Sequence, residues 1–110
     1  MERVIHIDPA NHLYYLEVAL EAAHNNDMDK AIHYGEEGLK FSPDHIAILG
    51  NHAMYLMIAG RDAEAMVHIQ RAISIAPEDT VNKFVARIIK EVTEGKRKRP
   101  SPKEAFEITK

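Results

Sequence analysis

Apolar residues recur every three or four positions in five successive blocks, separated by short polar breaks. The first block opens at Asn11 or His12 and runs to about Asn25, the second from about Met28 to Phe41, the third from His45 to Ala59 and the fourth from Ala63 to Ile75. A fifth starts after Asp79. The breaks carry helix punctuation: Asn25-Asn26-Asp27 supplies residues that tolerate left-handed backbone and then cap a following helix, and Asp44, Asp62 and Asp79 precede the later blocks. The pattern predicts an all-α chain. The third block, IAILGNHAMYLMIA, is apolar almost all round, as expected of a helix buried on more than one side. The fifth gathers Val81, Phe84, Val85, Ile88, Ile89 and Val92 on one face and Lys83, Arg87, Lys90 and Glu94 on the other, the signature of a helix that ends a stack.

The blocks also repeat. Pro9, Pro43 and Pro77 are spaced by 34 residues, and Asn26 and Gly60, both suited to a left-handed helix end, share the same spacing. At that register Tyr15 aligns with Leu49, Val18 with His52, Ala19 with Ala53, Ala22 with Leu56, Ala31 with Ala65, Gly35 with Ile69 and Gly38 with Ala72. In period and in this alternation of bulky and small places, the chain resembles the tetratricopeptide-repeat (TPR) family. Ala22 and Gly35 depart from the pattern by being small where bulk is usual, and His52 by being polar.

The resemblance implies an α-α superhelix of stacked helical hairpins. Residues 12–45 and 46–79 would be two full TPR units, 80–94 a capping helix, and 1–11 a lead or the remnant of a preceding repeat. Small residues such as Ala31, Ala65 and Ala72 fit that reading physically, because side chains at the contact set how closely two helices approach.

Charge distinguishes the last segment. Residues 95–110 carry Lys96, Arg97, Lys98, Arg99, Lys103 and Lys110 against Glu104 and Glu107, a net charge of +4, while the rest of the chain carries −7. With two prolines and no sustained periodicity, this stretch reads as a basic, flexible tail. Its run Lys96, Arg97, Lys98, Arg99 could meet a polyanion, but without interleaved aromatics nucleic-acid binding is disfavoured. The apolar tip Ala105, Phe106 and Ile108 could instead occupy the molecule's own groove or a neighbour's.

By resemblance, the first helix of each pair lines a concave groove. The corresponding residues are Leu13, Leu16, Glu17, Leu20, Ala23 and His24, then Ala47, Gly50, Asn51, Met54, Met57 and Ile58, with Val81, Phe84, Val85 and Ile88 from the cap. The set is predominantly apolar, with Gly50 opening space at its centre. The family's carboxylate clamp is not supported: Leu16, Leu20, Val81 and Val85 replace its charged and amide residues, and only Asn51 matches. The expected role is therefore protein binding, as a scaffold or adaptor that takes an apolar or amphipathic peptide or helix; the alternative is self-assembly as a homo-oligomer.

Catalysis and cofactors are not expected. Cysteine is absent, no GxSxG or Gly-rich phosphate loop occurs, and no histidine pair has the i, i+4 spacing of a helical zinc site. His52 and His68 occupy corresponding faces of paired helices and could approach each other. No run of 18 apolar residues spans a membrane and no apolar leader follows a basic start, so the expected location is cytoplasmic.

Overall fold

A computed structural model of the chain describes residues 12–108; the expected N-terminal lead, 1–11, lies outside the described residues. Six helices follow one another: α1 (His12–His24), α2 (Met28–Phe41), α3 (Ile46–Ile58), α4 (Asp62–Ile75), α5 (Thr80–Thr93) and α6 (Pro102–Ile108). Among the described residues there is no strand. Consecutive helices from α1 to α5 pack as neighbours, most closely α1 on α2 and α3 on α4, with α2 on α3 and α4 on α5 continuing the series, while α6 packs on α1 and α3.

The turns repeat with the sequence. Asn26 and Gly60, 34 residues apart, both take positive φ, 64° and 85°. Each closes its helix with the same pair of bonds: the amides of Asp27 and Arg61 donate to the carbonyls of Ala22 and Leu56 at 2.8 Å, and those of Asn26 and Gly60 donate three residues back at 3.0 Å. The other break repeats as well. Ser42 and Ala76 have φ of −136° and −131° and each donates to a carbonyl four residues earlier; His45 and Asp79 then start α3 and α5 from φ of −75° and −73°. Pro43 and Pro77 stand in these turns, just past helices they cannot continue.

The caps shift slightly from expectation. Asp27 accepts from the Lys30 amide at 3.1 Å and Asp79 from those of Val81 and Asn82 at 2.9 and 3.2 Å. Asp44 does not cap α3, because its carboxylate pairs with Arg71 of α4; the cap is His45, whose Nδ1 accepts from the Ile48 amide at 3.3 Å. Helix α4 begins at Asp62 rather than behind it.

The core centres on α3, where Ile48, Leu49, His52, Ala53, Met54, Tyr55, Leu56 and Met57 are all buried. Each fully buried leucine or isoleucine contributes on the order of 2 kcal/mol from apolar burial. Ala31 of α2 and Ala65 and Ala72 of α4 have no exposed surface. At Gly38 a Cβ would lie 3.0 Å from Tyr15 Cβ, so the α1–α2 approach depends on the missing side chain.

Two sequence departures compensate each other. At Gly35 a Cβ would meet His52 Nδ1 at 2.3 Å, so the imidazole of α3 fills the volume that a bulky residue of α2 would otherwise take. Gly35→Ala is expected to destabilise the fold by about 1–3 kcal/mol through overpacking. In a double-mutant cycle by urea denaturation, combining it with His52→Ala should recover about 1 kcal/mol or more of coupling; strict additivity would contradict the pairing.

Residues 95–108 are folded rather than the flexible tail their charge and prolines suggested. Gly95, at φ 76°, closes α5 with the same left-handed turn, the Lys96 amide donating to the Glu91 carbonyl at 2.8 Å. Pro100 is buried, and α6 returns to pack on α1 and α3 with Ala105 wholly buried. Ser101 and Glu104 exchange reciprocal bonds, Ser101 N–H to Glu104 Oε1 at 2.9 Å and Glu104 N–H to Ser101 Oγ at 3.2 Å, and Pro102 occupies the first turn. Burial and capping together outweigh the segment's charge.

Candidate binding cleft

The odd-numbered helices α1, α3 and α5 share one side of the molecule, and a cleft of about 380 Å³ opens between them. Its walls are Leu20 and His24 of α1, Gly50, Asn51, Met54 and Tyr55 of α3, Val81, Asn82 and Val85 of α5, and Phe106 of α6. Helical spacing explains the set on α3, since residues 50, 51, 54 and 55 fall on one face. No Asp, Glu, Lys or Arg is among them. That volume accommodates one or two bulky side chains and lies in the range of small ligand sites.

Polar groups in the walls are few, and two of them, on Asn82 and Tyr55, are buried. Asn82 is 6% exposed, and a Cβ on Gly50 would meet its Oδ1 at 2.4 Å. Gly50 therefore does not leave open space at the centre of the groove: the amide of Asn82 lies against it. Tyr55 is 2% exposed, its hydroxyl has no hydrogen-bond partner among the described residues, and burial pushes its pKa up. Asn51 is half-buried at the edge.

Of the residues expected in the groove, Leu20, Gly50, Asn51, Met54, Val81 and Val85 converge on this cleft. Met57 and Ile88 do not line it; both are fully buried, which makes them core. Leu13 is 48% exposed and Ala47 is exposed, away from the cleft walls, while Leu16 and Glu17 are half-buried. Phe84 lies outside it as well, with the Arg87 guanidinium 5.9 Å from its ring centre. Sequence reasoning missed Tyr55 and Asn82 because they stand outside the repeat places that the resemblance assigns to the groove. His24 stands on the lining face as expected, and Phe106, from the apolar tip expected to reach a groove, lines the cleft and stacks on His24 with centroids 4.1 Å apart.

The basic run is largely consumed by the fold. Lys96 pairs with Glu94 at 3.3 Å and Arg97 with Glu91 at 2.8 Å, and Arg97 holds the Glu91 carboxyl below the usual carboxylate range. Arg99 makes a bidentate pair with Asp62, at 2.6 and 3.0 Å, and donates to the Met57 carbonyl at 2.6 Å. Lys98 remains exposed beside Arg97, Arg99 and Lys103, but Glu104 and Glu107 share that surface. A purely cationic strip for a polyanion is not what results.

No protein-family model, curated protein or solved structure matches the chain.

Two further expectations concern chemistry. Among the described residues no three His, Asp or Glu side chains are grouped to hold a metal ion, and no helix is long and apolar enough to cross a membrane. His52 and His68 do meet, edge to face with ring centroids 4.9 Å apart. His52 Nδ1 is buried without a hydrogen-bond partner among the described residues.

Burial lowers the His52 pKa from 6.5 to about 4, with His68 and Arg61 acting in the same direction against Glu64. Burial also lowers that of His68, opposed by Glu64 and Glu36. The folded state thus keeps His52 neutral, while the unfolded chain takes up the proton near 6.5. Stability is complete above that pH and falls as pH drops from 6.5 towards 4, by on the order of 3 kcal/mol for a shift of this size. Urea titrations of the protein and of His52→Gln across this window should show a shallower pH dependence for the variant; identical slopes would rule out His52 as the source.

Proposed function

We propose that this chain is a non-catalytic protein-binding module of the tetratricopeptide type, with its helical hairpins arranged as a right-handed superhelix. Its ligand is a short apolar or amphipathic segment of a partner protein, bound in the cleft between α1, α3 and α5. The observation that carries this reading is the cleft itself: about 380 Å³, walled by Leu20, Met54, Val81, Val85 and Phe106, with no charged side chain in its lining. Support for the repeat architecture comes from the recurrence of turn dihedrals and cap bonds at intervals of 34 residues.

The chemistry of the walls selects the ligand class. An ion or phosphate would find no counter-charge there, and leaving a charge unpaired in such a place is costly. A leucine, methionine or aromatic side chain would bury apolar surface on both sides. Asn51, at the cleft edge, can pair with the backbone of the incoming segment. A wall that is 57% exposed at Val81 gives such a segment a large apolar surface to cover.

Peptides selected from a random display library against the intact protein test this directly. Those that bind should be rich in apolar residues, and Val81→Glu or Leu20→Glu should each weaken them by about tenfold or more, as expected for a buried anchor contact. Because Val81 is exposed, its variant should keep the parent unfolding temperature. Unchanged affinity in both variants would show that binding occurs elsewhere.

A further inference from the structure

The geometry points to α6 as a built-in competitor: the closing segment, Ser101–Glu107, covers one end of the binding cleft and is held shut by an Arg99 latch, so that a partner must displace it to gain the full groove. This inference rests on the proposed reading of the cleft and names how access to it is regulated.

Phe106 is at once a wall of the cleft and the stacking partner of His24. Together with Ser101, Pro102, Lys103 and Glu107 it also faces Ala23 and His24 across a second hollow at the C-terminal end of α1. Ala23, His24 and Met57 continue the lining row of α1 and α3 beyond Leu20 and Met54. Ala23 and Met57 have no exposed surface. Phe106 lies over the α6 end of this row, where His24 stays exposed at the rim, and the part nearest Val81 is open.

The attachment is suited to release. A seven-residue helix has too little internal hydrogen bonding to persist alone, so α6 stays ordered only while docked. Among the described helices it touches only α1 and α3, and Lys103, Glu104 and Glu107 face solvent. The connection from Gly95 to Ser101 contains no helix; Arg97 ties its start to Glu91 of α5 and Pro100 is buried, and the polar link nearest α6 is Arg99, bound to Asp62 at the start of α4 and to the last-turn carbonyl of Met57 in α3. Breaking that link frees α6 without removing any cleft residue.

The segment that occupies the cleft end defines the competing partner. It is an amphipathic turn presenting a small residue and then an aromatic, as Ala105 and Phe106 do, with charged residues on its outer side.

A fluorescein-labelled peptide of the chain's own sequence, Ser101–Lys110, serves as the probe, titrated by anisotropy into the intact protein, Arg99→Gln and Phe106→Ala. Because a closed lid lowers apparent affinity by the fraction of open molecules, both variants should bind the probe about tenfold or more tighter than the parent does. A probe with alanine in place of its phenylalanine should bind none of them. Amide hydrogen exchange gives an independent reading: residues 102–107 should exchange about tenfold faster in Arg99→Gln while α3 stays protected. Equal probe affinity in all three proteins, or α6 exchange unchanged by loss of Arg99, overturns the lid. The library peptides separate the two readings. If they bind the parent and Phe106→Ala equally and still lose affinity in Val81→Glu, the cleft stands and the lid falls; if Val81→Glu has no effect on them, the cleft reading itself fails.

Discussion

Helix α3 packs against every other helix of the described structure, α1, α2, α4, α5 and α6, and the rest of the fold is arranged around hiding it. A helix that is apolar on all sides cannot be left on a surface, and one neighbouring helix covers only a stripe. Here α2 and α4 cover one side; α1 and α5 approach from the other and leave the cleft between them. The cleft is therefore what remains when three parallel rows of side chains cannot quite close over Met54 and Tyr55. The constraint that stabilises the protein is the same one that exposes an apolar hollow.

Close approach around α3 relies on missing side chains as much as on present ones. Gly35 admits the His52 ring and Gly50 admits the Asn82 amide, so α2 and α5 each come nearer to α3 than an alanine would permit. The cost is polar atoms in the interior. His52 Nδ1 and the Tyr55 hydroxyl are both buried without a partner among the described residues. At His52 the consequence is a ring kept neutral and a fold that weakens in acid; Tyr55 leaves an unused donor in a residue that walls the cleft.

Much of this architecture was legible in the sequence because local signals agreed with the global pattern. The 34-residue spacing of the prolines and of Asn26 and Gly60 located four helices, and the one-sided apolar face of α5 placed it against the stack. The cleft was legible as a lining row along α1, α3 and α5, but not its depth: whether Met57 is a wall or core depends on α6, which was read as a tail. The signal for α6 was present in Ser101-Pro102-Lys103-Glu104, a cap, a first-turn proline and a reciprocal glutamate. It was outweighed by the charge density of the preceding run, whose partners Glu91, Glu94 and Asp62 are distant enough in sequence, or varied enough in spacing, to escape a local reading. Gly35 and His52 failed individually against the repeat pattern for a similar reason. Each is intelligible only once α2 and α3 are side by side.

The central claim is that partner segments enter between α1, α3 and α5, and methionine methyl groups report on it site by site. Met54 lies in the cleft, whereas Met66 borders the outer surface between α4 and α5. In a methyl-resolved NMR titration of the methionine-labelled protein with a bound peptide, the Met54 signal should shift and show contacts to the peptide's apolar side chains while Met66 stays fixed. A peptide that moves Met66 and leaves Met54 unchanged would place the binding surface on the opposite side of the molecule and contradict the account.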